Sequence, residues 1–380
     1  MKRILVVPMS AMAETSGPVS RCCKLAKGYK EAGAQVATCM AEDVNFRPLT
    51  GITNYFLDIP MPLGLPEPIA TKSFPVAQKL GITSHKAVPS FDEVLHLTGN
   101  LDYKYIVKSV SDIRRAIVEF KADVVYSEFN ISAIIASKLE NVKLFATVSY
   151  PTQHSYAHSA KLAHGLNRFL QEVGLPQVES ALMLFEWADE RYCFSIKELE
   201  PFGEGVKFCG ALKKVHMDVH ERERNKILVY MGNGTITAKK MKDEISEAFR
   251  GSPYDVYIAS SYLKEETDGN IWIAHRWEFD ELLDDACLFI NHGGQNSIAD
   301  GLQHGVPQIV VPGKVFERRF NAESLAKNNA GIMLEQDEFC AEVIREKAKK
   351  VIVSDKMRES ARELGRKLNS LQAPYIHLNL

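Results

Sequence analysis

The stretch Phe289-Ile290-Asn291-His292-Gly293-Gly294-Gln295-Asn296-Ser297-Ile298-Ala299-Asp300-Gly301 decides the fold class of this chain. A buried strand is expected to end at Asn291. Two glycines then let the backbone turn sharply and approach a ligand with no Cβ in the way. A helix opens at Asn296 or Ser297 and runs to Gln303-His304, with Gly305 past its end. Strand, glycine turn and helix in this order form one unit of a doubly wound sheet. The helix N-terminus presents N–H groups and the positive end of a dipole, which suits a pyrophosphate. His292, at the carboxyl edge of the strand, adds a hydrogen bond, or a charge when protonated. Ser297-x-x-Asp300 also reads as a capping box, which needs no ligand. On spacing alone, an anion site and an ordinary α/β turn both stay open.

The next unit follows at once. Gly305-Val306-Pro307 leads into a strand over 308–311, and Pro312-Gly313-Lys314-Val315-Phe316-Glu317-Arg318-Arg319-Phe320-Asn321-Ala322 comes after it. Asn321 is a good N-cap for a helix over 322–329, closed by Gly331. Glu317 and Arg318 are therefore expected in a loop at the carboxyl edge of the sheet, facing the same crevice as the His292 turn. By composition alone Glu317-Arg318-Arg319 is equally a solvated charge run.

Apolar, β-branched runs alternate with helical patterns on both sides of this region. Strands are expected at 3–8, 35–40, 123–126, 143–148 and 191–194, with helices such as 20–32 and 112–120 between them. The alternation restarts at 226–231, 256–260, 271–274, 287–290, 308–311 and 331–334. Such repetition favours parallel sheets with helices on both faces. The stretch 45–96 breaks the pattern, with Pro60-Met61-Pro62 and Pro66-Glu67-Pro68 and weak periodicity. Long loops of this kind on an α/β scaffold often shape variable ligand pockets. The polar segment 213–225, containing Glu221-Arg222-Glu223-Arg224, reads as a linker. The expected organisation is a first domain over 1–213, a linker over 214–225, a second domain over 226–365, and a tail over 366–380 that packs back toward the first domain. The cleft between the halves is the default ligand site.

At 380 residues the chain is long enough for two domains. Its net charge of −2 argues against binding nucleic acid or anionic membrane through bulk charge. Lys2-Arg3 before Ile4-Leu5-Val6-Val7 imitates a signal peptide, but Pro8 stops the run, so a first buried strand is expected. No stretch approaches the roughly 18 apolar residues of a membrane span, and a cytoplasmic location is expected. The seven cysteines form no C-x-x-C pair, so reduced, mostly buried thiols and no zinc site are expected.

The order His292-Gly293-Gly294-x-Asn296-Ser297-x-x-Asp300-Gly301, then Gly305-Val306-Pro307, Pro312, Glu317-Arg318 and Asn321-Ala322, resembles the donor-site signature of family-1 glycosyltransferases. The resemblance implies the GT-B fold: two Rossmann-like, doubly wound α/β domains facing across a cleft. It implies an inverting, metal-independent transfer from a nucleoside-diphosphate sugar to a small-molecule acceptor, with no further cofactor. By the same resemblance His292 contacts the diphosphate, helped by Asn296, Ser297 and backbone N–H groups of the Gly293-Gly294 turn. Asp300, in place of a Glu, holds the ribose hydroxyls. Glu317, in place of an Asp, and Arg318, in place of a Gln, hold the sugar, and Asn321 fits its family position. Gly232-Asn233-Gly234-Thr235 resembles the family's phosphate loop. Trp277-Glu278-Phe279 falls where the family has a base-binding turn, though without its Pro and Gln. An Arg at 318 donates only, and so suggests an anionic or acetylated sugar.

In that family a His after the first strand, oriented by an Asp after a later strand, deprotonates the acceptor. Here the expected Gly-His pair falls on Gly17-Pro18, no His precedes His85, and Ser127-Glu128 stands where the Asp belongs. Three explanations stay open. Glu14 or Glu128 acts as a carboxylate base, the acceptor needs little help, or the chain binds a sugar nucleotide without transferring it. In the last case it is a sensor, a partner subunit, or an epimerase or hydrolase. His154, with His158, could line the acceptor pocket or be a plain surface histidine. A nicotinamide dehydrogenase is disfavoured, because no G-x-G-x-x-G follows the first strand.

Overall fold

A computed structural model describes residues 1–11, 17–42, 46–65, 69, 87–215, 224–232 and 235–377. The first sheet contains β1 (Arg3–Pro8), β2 (Gln35–Met40), β3 (Thr53–Phe56), β4 (Val124–Glu128), β5 (Lys143–Thr147), β6 (Glu190–Cys193) and β7 (Val206–Phe208), in the spatial order β3-β2-β1-β4-β5-β6-β7. Every pairing in it is parallel. The second sheet contains β8 (Lys226–Tyr230), β9 (Asp255–Ala259), β10 (Glu266–Asp268), β11 (Ile271–Ala274), β12 (Ala286–Asn291), β13 (Gln308–Val310) and β14 (Gly331–Met333). Its order is β10-β11-β9-β8-β12-β13-β14, and β10 alone runs antiparallel to its neighbour.

The apolar runs are continuous because both faces of each sheet are covered. Ile4, Leu5, Val6 and Val7 are all fully buried. Leu5 and Val7 join one cluster, and Ile4 and Val6 another, on opposite faces of the strand. In the second sheet Ile227, Val229, Leu288 and Ile290 pack on one side, and Leu228 and Phe289 on the other. Strand order reverses at β1/β4 and at β8/β12, so each sheet has its crevice at those strands' carboxyl ends.

β3, β7 and β10 were not expected from the sequence. They are short, lie at or beside sheet edges, and carry little apolar periodicity. The helix expected over 112–120 starts earlier, as Tyr103–Phe120, because Asp102 caps it by accepting from the Tyr105 N–H at 3.0 Å. Ile106, Val110, Ile113 and Ile117 form its buried stripe.

The boundary expected at residue 365 falls inside one unbroken helix, Asp355–Ser370. Ala361, Leu364 and Leu368 of this helix pack with Ile298 and Leu302, and with Ile196 and Leu199 from the first half. Beyond it, Tyr375 lies against Gly28 and sets its ring 5.9 Å from that of Tyr29 on the helix Gly17–Glu31. The described ends of the linker are docked as well. Lys213 pairs with Asp280, and Arg224 Nη1 donates to the His304 carbonyl at 3.0 Å. Residues 216–223 lie outside the described residues.

Gly365 is the tightest point of this packing, because a Cβ there would stand 1.9 Å from the Leu302 carbonyl oxygen. Gly365→Ala is expected to lower unfolding stability by about 1–3 kcal/mol in urea denaturation, as overpacking does. Gly203→Ala, which meets nothing within 4 Å, is the control expected to be near neutral.

Candidate functional site

β12 ends at a corner that only glycine can turn. Gly293 has φ +84°, and a Cβ on it would stand 2.8 Å from Val310 Cγ1 and 2.9 Å from the Arg318 carbonyl oxygen. Buried Asn291 braces the corner, accepting from the Gly293 N–H at 2.9 Å and donating to Gln308 Oε1 at 2.7 Å. The helix begins at once, as Gln295–Gln303, with Gly294 as N-cap. The expected start at Asn296 or Ser297 is therefore late, and Ser297 and Asp300 lie inside the helix instead of forming a capping box. Gly294 has no side chain with which to cap the first turn, and the Gln295 backbone N–H is met by the Glu317 carboxylate instead.

His292 sits between two glycine turns. Its Nε2 is 2.8 Å from where a Cβ on Gly294 would stand and 3.4 Å from the same point on Gly232. Its ring is edge-on to Tyr230 at 5.4 Å, and its Nδ1 is buried. Burial, reinforced by the nearby Arg318 charge and opposed by a hydrogen bond to the Tyr230 backbone, pushes the imidazole down to about 3. At neutral pH His292 therefore offers a hydrogen bond and no charge.

The second segment differs from expectation in its local structure but not in its place. The helix is Phe316–Lys327, so Glu317 and Arg318 occupy its first turn, not a loop. It starts early because a strand-like bridge from the first half pins its entrance. Val88 donates to the Lys314 carbonyl and accepts from the Phe316 N–H, both at 2.9 Å. Asn321 is not an N-cap. It is buried in mid-helix, and its Nδ2 donates to the Gly293 carbonyl at 2.8 Å. That bond joins the His292 turn to the helix of Glu317. Arg318 Nη1 donates to Thr235 Oγ1 at 2.7 Å, across to the turn that follows β8. Burial pushes the Glu317 carboxyl up, while Arg318, Arg21 and the Gln295 backbone N–H oppose this.

Asp300 and Asn296 open onto a cavity between the two halves that Lys24, Lys213 and Gln303 also line. Burial raises the Asp300 carboxyl, and Lys24, His304 and Lys213 oppose it. Trp277 is half-buried, donates its indole N–H to the Ile258 carbonyl at 3.0 Å, and meets Tyr257 edge-on. Gly232 has φ +53°, while Asn233 and Gly234 lie outside the described residues. Among the described residues no three His, Cys, Asp or Glu side chains are grouped to hold a metal ion.

The facing edge of the first half corrects one expectation. Glu128 is fully buried, with Arg21 Nη1 at 2.6 Å on one carboxylate oxygen and the Thr147 hydroxyl on the other. A carboxylate held this way has no face toward an acceptor, so Glu128 serves as an ion-pair partner and not as a base. Burial pushes it up, and Arg21 and Thr147 pull it back. Burial opposes the Arg21 charge, but Glu128 outweighs this and raises the Arg21 pKa. Arg21 Nη2 continues to Gln295 Oε1 at 2.7 Å, and Gln295 Nε2 donates to Glu200 Oε1 at 2.9 Å. Arg21, Gln295 and Glu200 carried no signal in the sequence, since Arg21 and Glu128 are 107 residues apart. Glu14 lies outside the described residues. His154 is a surface residue 2.7 Å from Glu186, and His158 Nε2 is 3.8 Å from Glu93.

Two outcomes follow. Arg21→Met leaves the Glu128 charge buried and is expected to cost about 3–5 kcal/mol of unfolding free energy, partly recovered by adding Glu128→Gln. A loss under about 1 kcal/mol, as for a surface pair, would refute the burial of this bond. His292 stays neutral in the fold, whereas the unfolded chain protonates it below its ordinary value of 6.5. The unliganded protein should thus lose stability as pH falls from 6.5 toward 3, and His292→Gln should flatten that slope in denaturation at several pH values.

Comparison with known proteins bears on the fold. Residues 260–375 match the family described as the erythromycin biosynthesis protein CIII-like C-terminal domain. The chain is 38% identical over 78 residues to UDP-glycosyltransferase UGT5 of Dactylopius coccus, covering 20% of this chain and 14% of the relative. It is 25% identical over 166 residues to NDP-glycosyltransferase YjiC of Bacillus subtilis (strain 168), covering 42% of this chain and 40% of the relative. The matched stretch thus spans less than half the length of either relative. Among solved structures, spinosyn rhamnosyltransferase SpnG aligns with a TM-score of 0.71 at 16% identity, over 98% of both chains. That likeness concerns the fold. Residues 260–375 are thus similar to an EryCIII-like C-terminal domain, and the chain as a whole has the GT-B fold of the structures it aligns with.

Proposed function

We propose that this protein transfers a sugar from a nucleoside-diphosphate sugar to a small-molecule acceptor, with inversion at the sugar and without a metal. One observation carries this reading. The Nε2 edge of the His292 imidazole lies between two glycine turns at the start of the Gln295–Gln303 helix. A diphosphate would accept from the imidazole and from the N–H groups that follow Gln295 in the first turn. Asp300, in the cavity beside it, suits ribose hydroxyls, and Glu317 suits hydroxyls of the sugar. The relatives' names specify UDP or NDP donors, and SpnG is known in complex with thymidine diphosphate. UDP and dTDP sugars are therefore the donors to try first.

In the transfer, an acceptor heteroatom attacks the anomeric carbon while the bond to the β-phosphate oxygen breaks. The electron pair leaves with the diphosphate. Fixed N–H donors already aimed at that oxygen stabilise the charge without reorganising. The acceptor's proton goes to a general base, and of the two candidate carboxylates Glu14 remains, since Glu128 is held by Arg21. The locked Glu128 also favours a second reading, in which the chain binds a sugar nucleotide but does not transfer it.

Thermal-shift screening with UDP and dTDP should raise the melting temperature, because the native state alone binds them. His292→Ala should weaken that binding by about tenfold, the worth of one hydrogen bond to a charged group. Incubation with labelled UDP and dTDP sugars and an acceptor panel should yield glycoside in the wild type, and Glu14→Gln should bind nucleotide yet turn over little. Nucleotide bound with no product from any acceptor supports the second reading, and no binding at all overturns both.

A further inference from the structure

We propose that Arg318 is a ligand of the donor's diphosphate, supplying the positive charge for the leaving group, and is not a reader of the sugar. The inference rests on the reading of the site as a sugar-nucleotide site. The Arg318 side chain starts beside the His292 turn, its Cβ 3.4 Å from where a Cβ on Gly293 would stand. From there it reaches to Thr235 Oγ1 at 2.7 Å, on the turn after β8. It thus spans the two turns that enclose the His292 imidazole, beside the open end of the Gln295–Gln303 helix. Its charge acts on both His292 and Tyr230, in keeping with that position.

The chemistry of the cluster divides the work. His292 is neutral and turns its Nε2 edge to the two glycine turns, so it supplies a hydrogen bond and no charge. The helix end supplies a partial charge. Arg318 is the full cation of the set, and a guanidinium matches two phosphate oxygens in its fork. Sugar hydroxyls are served best by groups that both donate and accept, and a guanidinium only donates. When the anomeric C–O bond breaks, the added charge stays on the diphosphate, where Arg318 already stands.

The test measures binding of UDP, dTDP, uridine, thymidine and inorganic pyrophosphate to the full chain by calorimetry at two salt concentrations. Arg318→Gln is expected to weaken UDP, dTDP and pyrophosphate by about ten- to a hundredfold and to leave the nucleosides unchanged. Arg318→Lys should fall between, and Thr235→Val, which keeps the guanidinium but removes its anchor, should cost a few-fold. These last two variants decide the question should Arg318→Gln not fold. Unchanged diphosphate affinity in the Arg318 variants, with altered preference among intact sugar nucleotides, overturns the proposal and leaves the sugar-nucleotide reading intact. A wild type that binds none of the probes overturns both.

Discussion

The close approach of the Phe316–Lys327 helix to Gly293 is the constraint on which the site depends. No side chain fits at that corner, with Val310 on one side and the Arg318 carbonyl on the other. The missing Cβ lets Asn321 reach the Gly293 carbonyl. Through that bond the end of β12 and the first turn of the next helix become one rigid unit. His292, the N–H groups of Gln295–Gln303, Glu317 and Arg318 are then all held at fixed positions before any ligand arrives. Preorganisation of this kind is what electrostatic stabilisation of a leaving group requires.

The two halves are joined at the same place. Gln295, the first residue of the phosphate-facing helix, accepts from Arg21 and donates to Glu200, both of the first half. The Val88 bridge enters just before Glu317, and Phe316 packs against the first-half core beside Phe91. Tyr150 stacks on Phe320 at 5.5 Å one turn further along. A change in how the halves meet is therefore felt first at the donor-facing helices. Glu128, next to Ser127, stands where the resemblance leads one to look for the acid that orients the base, and Arg21 pairs with it. Their burial turns that edge into an interdomain joint, which separates this chain from the pattern it otherwise follows.

Much of the fold was legible because parallel strands covered on both faces must be apolar throughout. The runs at Ile4–Val7 and Phe289–Ile290 announce themselves without any tertiary information. The edge strands Thr53–Phe56 and Glu266–Asp268 do not, since one side of each meets solvent and no burial pattern is imposed. Helix starts were misplaced for a related reason. Asn321 has the side chain of an N-cap, but the Val88 bridge begins the helix six residues earlier than expected, and the amide is spent on Gly293 instead.

By itself the sequence determined the order of strands, turns and helices, and which short segments carry phosphate-suited chemistry. Those properties follow from local periodicity and from residues such as glycine whose backbone freedom is intrinsic. Only the tertiary structure decided the states of the side chains. His292 is neutral because burial and Arg318 drive its proton away. Glu128 is silent because Arg21, distant in sequence, neutralises it. Arg318 turns to Thr235 because the start of its helix meets the turn after β8. Desolvation and charge pairing arise between segments far apart in the chain, and so no local pattern of residues encodes them.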